Sequence, residues 1–88
     1  MNSVRGPGGC HVIAAYILIQ TDAGKAFIVS ATLRELPGVS ETASLAGPYD
    51  VIALARARDI DALATLVTSQ VQALDGVRRT VTCPIIRL

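Results

Sequence analysis

The chain has 88 residues, 51% hydrophobic and 17% charged, with a formal net charge of +1. That length supports a single domain. Its eight Lys and Arg are scattered from Arg5 to Arg87 without forming a stripe, and two Tyr and one Phe are its only aromatics, which excludes the basic, base-stacking surface of a nucleic-acid binder.

The opening stretch, 1–10, carries Pro7 and three glycines, Gly6, Gly8 and Gly9. It reads as a flexible lead, and the folded domain is expected over 11–88. Gly6-Pro7-Gly8-Gly9 lacks the Lys-Ser/Thr of a phosphate loop and follows no strand. The uncharged run Val12 to Thr21 is about half of what spans a bilayer. With no signal-peptide pattern around it, the chain is expected in the cytoplasm and away from membranes.

His11 to Gln20 reads as the first strand. Ile13, Ala15, Ile17 and Ile19 fall on one face and Val12, Ala14, Tyr16 and Leu18 on the other. Both faces are apolar, so the strand is expected to be central and covered on both sides. Asp22 can then cap a helix from Ala23 to Leu36. Ala26, Val29, Leu33 and Leu36 recur at the spacing of one buried stripe, and Pro37-Gly38 ends it.

Val39 to Ala46 alternates, with Ser40, Thr42 and Ser44 against Val39, Glu41, Ala43 and Leu45. Gly47-Pro48 is a turn signal, and Asp50 to Ala57 is the next strand, close enough to form a hairpin. Asp59 and Asp61 open a second helix, where carboxylates favour the macrodipole. Ile60, Leu63, Val67, Val71 and Leu74 mark its buried face, and Asp75-Gly76 closes it. Val77 to Ile86 is the last strand, with Val77, Arg79, Val81 and Cys83 on one face and Arg78, Thr80, Thr82 and Pro84 on the other.

The order β-α-β-β-α-β predicts an α+β ferredoxin-like sandwich: a four-stranded antiparallel sheet with both helices on one face. The other sheet face would be bare, yet the strands supply it with apolar residues. A patch of several hundred Å² is rarely left exposed by a monomer. At about 25 cal/mol per Å², its burial favours a homodimer formed by the sheet faces, with a larger ring of dimers as an extension.

Chemistry is sparse. His11 is the single histidine, and no partner for proton transfer is evident. Cys10 and Cys83 are unpatterned, so neither a disulfide framework nor a zinc site is expected. Glu35 and Glu41 read as solvated surface. No catalytic residue, metal or cofactor is expected. The candidate ligand handle is the turn before the third strand. Asp50 there offers a carboxylate to an ammonium group, or an Asx-type turn on its own backbone. Tyr49 reads either as core or as a lid. Thr80 and Thr82, two apart on a strand, point their hydroxyls the same way.

Three motifs in order carry a resemblance. They are Leu36-Pro37-Gly38-Val39, Ala46-Gly47-Pro48-Tyr49-Asp50-Val51, and Leu74-Asp75-Gly76-Val77-Arg78-Arg79-Thr80-Val81-Thr82. They resemble the effector domain of the Lrp/AsnC (feast/famine) regulators, the RAM domain, from the first strand to the end of the chain. The resemblance implies a dimer through the sheets, octamers or decamers, and an amino-acid effector bound between subunits near the turn. It implies ligand-binding roles for Gly47, Pro48, Tyr49, Asp50, Thr80 and Thr82. Family regulators also carry an N-terminal helix-turn-helix, and only about ten residues precede the first strand here, too few for two helices. The expectation is therefore a stand-alone effector domain, or a fragment of a regulator, that acts on transcription indirectly, for example by co-assembling with full-length regulators. A purely structural oligomerisation module and a small dimeric ferredoxin-like enzyme are the alternatives.

Overall fold

The computed structural model describes residues 12–86. The expected lead, 1–10, together with His11, lies outside them. Four strands and two helices follow in the expected order: β1 (Ile13–Thr21), α1 (Ala26–Leu33), β2 (Val39–Ser44), β3 (Val51–Ala57), α2 (Ile60–Leu66) and β4 (Val77–Pro84). A π-helical turn, Val67–Val71, extends α2. The sheet order is β2-β3-β1-β4, and the three pairings β2–β3, β3–β1 and β1–β4 are all antiparallel. This is the ferredoxin-like α+β architecture.

β1 is central, as its two apolar faces demand. Ala15, Ile17 and Ile19 are fully buried beneath the helices, opposite the equally buried Ala55, Ala53 and Val51 of β3. Val29 and Leu33 of α1 and Leu63, Leu66, Val67 and Val71 of the second helical segment close that core. Ala26, Leu36, Val39 and Leu74 pack at its margin. Short side chains at 15, 53 and 55 leave room for the larger helix residues above them.

The second sheet face is different. By strand register it carries Ala14, Tyr16, Leu18 and Gln20 of β1, Ile52, Leu54 and Arg56 of β3, Glu41 and Ala43 of β2, and Arg79, Val81 and Cys83 of β4. Both described helices pack on the core side. Among the described residues β1 is therefore covered on one side only, not on both as its pattern suggested.

Local departures have local causes. Asp22 does not cap α1. Its amide donates to the Gly76 carbonyl at 2.8 Å and its carboxylate faces Arg78 at 3.7 Å. The chain turns through Gly24, at φ +79°, and α1 begins three residues late, behind Lys25 with no side-chain cap. Asp59 does cap α2: its Oδ1 accepts from the Ala62 amide at 2.8 Å, an interaction worth about 1 kcal/mol. Ile60, expected in the buried face, is 52% exposed at the first helical position, and Leu66 takes an inward place instead. The π-turn, in which the Gln72 amide reaches back to Val67 O, stretches the spacing so that Val71 still meets the core. Outside the buried stripe of α1, Phe27 is 83% exposed, so that helix is apolar on its outer side as well.

Two register shifts change which residues share a face. Between Val39 and Glu41 the β2 ladder skips a residue, which puts Val39 on the core side with Thr42 and Ser44 rather than with Glu41. Between Val77 and Arg79 the β4 ladder skips Arg78. Val77 therefore shares the core side with Thr80 and Thr82, and only Arg79, Val81 and Cys83 face outward. A bulge adds one residue and inverts the alternation beyond it.

Candidate functional site

The β2–β3 connection is a closed turn stitched to β1. Leu45 N donates to Asp50 O at 2.8 Å, which closes it. Asp50 N donates to Ile19 O at 2.9 Å, and the Thr21 amide donates to Asp50 Oδ2 at 2.8 Å. The Gln20 side chain donates from Nε2 to the Pro48 carbonyl at 3.1 Å. Asp50 is thus not closing an Asx-type turn on its own backbone. Its carboxylate reaches a residue 29 positions earlier, at the end of the central strand. One carboxylate oxygen is spent there, and Oδ1 has no hydrogen-bond partner among the described residues. Asp50 and Tyr49 are half-buried.

Gly47 is exposed and lacks a positive φ, and a Cβ built on it would meet nothing within 4 Å. Neither backbone strain nor crowding by the fold calls for glycine at that position. Gly76, in the neighbouring α2–β4 turn, is the reverse case. It sits at φ +97°, and a Cβ there would come within 2.9 Å of Lys25 Cβ.

Of the six expected site residues, the structure brings Gly47, Pro48, Tyr49 and Asp50 together with Gln20. Thr80 and Thr82 do share one side of β4, but it is the helix side: they pair with the core residues Ile19 and Ile17. The Thr80 hydroxyl accepts from Gln72 Nε2 at 3.0 Å. Gln20 was not singled out by the sequence, although it is the first polar residue in the outward series Ala14, Tyr16, Leu18. Its register partner on the other side, Arg79, was also missed, because nothing in either segment announces its neighbour across the sheet.

A shallow depression over β1, β2 and β3 is lined by Tyr16, Glu41, Thr42, Ala43, Ile52 and Leu54, none of them a residue of the turn. Among the described residues no cluster of His, Cys, Asp and Glu could hold a metal ion, Cys83 is a free exposed thiol, and no helix is long and apolar enough to cross a membrane. Cys10 lies outside the described residues.

Comparison with known proteins agrees with the residue pattern. The family model described as the Lrp/AsnC ligand binding domain matches residues 14–88. No curated protein sequence matches. Among solved structures, TTHA0845 from Thermus thermophilus is 37% identical and superposes with a TM-score of 0.82, over 86% of this chain and 95% of that one. A second, FFRP-DM1, is 28% identical, with a TM-score of 0.81, over 84% of this chain and 99% of that one. AsnC of E. coli is 26% identical with a TM-score of 0.82, and the match covers 91% of this chain but 54% of AsnC. The architecture, the turn and the closing strand together with the family match lead to one conclusion: this chain belongs to the Lrp/AsnC family, as one of its ligand-binding regulatory domains.

Proposed function

We propose that this chain is a non-enzymatic, cytoplasmic sensing module that binds a small amino-acid-like effector between subunits, and that Gly47, Pro48, Tyr49 and Asp50 form the chain's share of that site. One observation carries the reading: a carboxylate, Asp50, is pinned by the Thr21 amide at the rim of an apolar sheet face that no described element covers. Pinning removes the conformational freedom that a free side chain would lose on binding, and the adjacent apolar face supplies a surface for a second copy. Two sheets packed face to face give a homodimer with its sites at the rim, and dimers then close into an octamer or decamer. Effector binding alters that assembly, and the module acts on transcription indirectly, through full-length regulators of the same family. Thr80 and Thr82 border this arrangement from the helix side.

The test is a thermal-unfolding and light-scattering screen against the twenty free L-amino acids. At least one should raise the melting temperature by several degrees at millimolar concentration or change the assembly mass, because a ligand that binds only the native state stabilises it by mass action. A flat response across all twenty would overturn the reading. The same open apolar face favours a second reading, a structural oligomerisation module. In that case wild type and Asp50→Asn assemble alike and neither responds to any amino acid.

A further inference from the structure

Among the described residues, the charges at the turn end of the sheet pair up, with two left over. Lys25 faces Asp75 at 3.6 Å and Arg78 faces Asp22 at 3.7 Å. The remaining carboxylate is Asp50, whose only described side-chain partner is the Thr21 amide. The remaining cation is Arg79, exposed and without a carboxylate partner among the described residues. These two flank one residue of the central strand. Arg79 is the register partner of Gln20 on one side of β1. Asp50, one residue before the Val51 that pairs with Ile19, adjoins it on the other. Neighbouring strands lie about 4.8 Å apart, so the two backbones are separated by roughly 10 Å. The gap between them is bridged by the Gln20 side chain, which shares the outward face with Arg79 and is tied to the turn at Pro48 O.

From this placement we infer that Arg79 is the carboxylate-reading residue of the effector site, with Asp50 reading the ammonium, so that the site selects a zwitterion over either half of it. This rests on the ligand-binding reading above and specifies its chemistry. An α-amino acid carries its two opposite charges on groups joined through one carbon, which suits one fixed carboxylate and one flexible guanidinium on either side of a strand. Guanidinium matches carboxylate with two parallel hydrogen bonds. A simple carboxylic acid would meet Asp50, and a simple amine would meet Arg79, each with like-charge repulsion and half of the attraction. The unbroken ladder from Cys83 through Val81 to Arg79 sets this arrangement, and the bulge at Arg78 turns only Val77 to the helix side.

The experiment is calorimetric titration of the intact chain with each of the twenty free L-amino acids and with the corresponding α-amides, for wild type, Arg79→Gln, Arg79→Lys and Asp50→Asn. Wild type should bind its best amino acid at least ten-fold more tightly than the amide. Arg79→Gln should lose at least about ten-fold in affinity for the acid, with little change for the amide, so that the preference collapses. Arg79→Lys should recover part of it. Asp50→Asn should weaken acid and amide together, since both carry the ammonium. Sedimentation and thermal unfolding of the variants provide the check on structure, since a merely structural Arg79 would shift these and leave the acid-to-amide ratio intact. A wild-type response with an unchanged ratio in Arg79→Gln overturns the assignment of Arg79 alone. No wild-type response to any amino acid overturns the sensing reading and this inference with it.

Discussion

The two turns at the same end of the sheet use glycine for opposite reasons. At Gly76 the backbone is in the left-handed region, and a methyl group would collide with Lys25 Cβ and crowd Val29 Cγ2 at 3.2 Å. The turn also holds the β1 exit, since Gly76 O accepts from Asp22 N. At Gly47 the backbone is ordinary and the surrounding space is empty. A glycine that the fold requires is explained by the fold. One that the fold does not require leaves room on an exposed turn beside a pinned carboxylate. The contrast separates a turn whose glycine the fold requires from one whose glycine it does not.

Substitutions at the two turns should therefore part company. Gly76→Ala carries the largest effect: left-handed strain plus the Lys25 contact should cost about 3 kcal/mol. For a domain of this size that lowers the melting temperature by roughly 15 °C, measured at fixed protein concentration because association also sets stability. A loss below about 1 kcal/mol would mean the α2–β4 turn relaxes freely, and the contrast would fail. Asp50→Ala comes next. It strands the Thr21 amide in a half-buried place and should cost about 1–2 kcal/mol in urea unfolding. Asp50→Asn keeps an acceptor and should cost less, so a stability loss equal to that of alanine would show that the charge itself holds the turn. The smallest effect belongs to Gly47→Ala, within about 0.5 kcal/mol of wild type. Its consequence should appear in the amino-acid response instead, and an unfolding midpoint shifted as far as that of Gly76→Ala would erase the distinction.

Much of this molecule is legible in its residues, and the parts that are not share a cause. The helix stripes at Val29 and Leu33 and at Leu63, Val67 and Val71 are local patterns, and they are buried as the periodicity predicts. The chain also turns at Gly38 and Gly76, both at positive φ, although the helices end sooner than expected, at Leu33 and Val71. By contrast, Asp22 has a capping side chain, yet its backbone and carboxylate are claimed by Gly76 and Arg78, more than fifty residues away. Ile60 fits the stripe by count, but the register of the stripe is set where α2 meets the sheet, and Leu66 fits better. Among the candidate site residues, the turn 47–50 was readable because Gly-Pro and the following strand are contiguous. Gln20 and Arg79 were not, because nothing in either segment announces its neighbour across the sheet.

The amino-acid pattern alone determined the element order, the fold class, the core stripes and the turn that carries Asp50, since each depends on interactions within a few residues or on simple periodic burial. Tertiary structure alone decided the rest. It tied Asp50 to Thr21, placed Gln20 between Asp50 and Arg79, and moved Thr80 and Thr82 to the helix side. These follow from strand register, while two bulges turned Val39 and Val77 to the core side. A bulge costs one residue of alternation and requires no distinctive side chain, so its position is fixed by pairing with a distant strand and not by the segment that contains it.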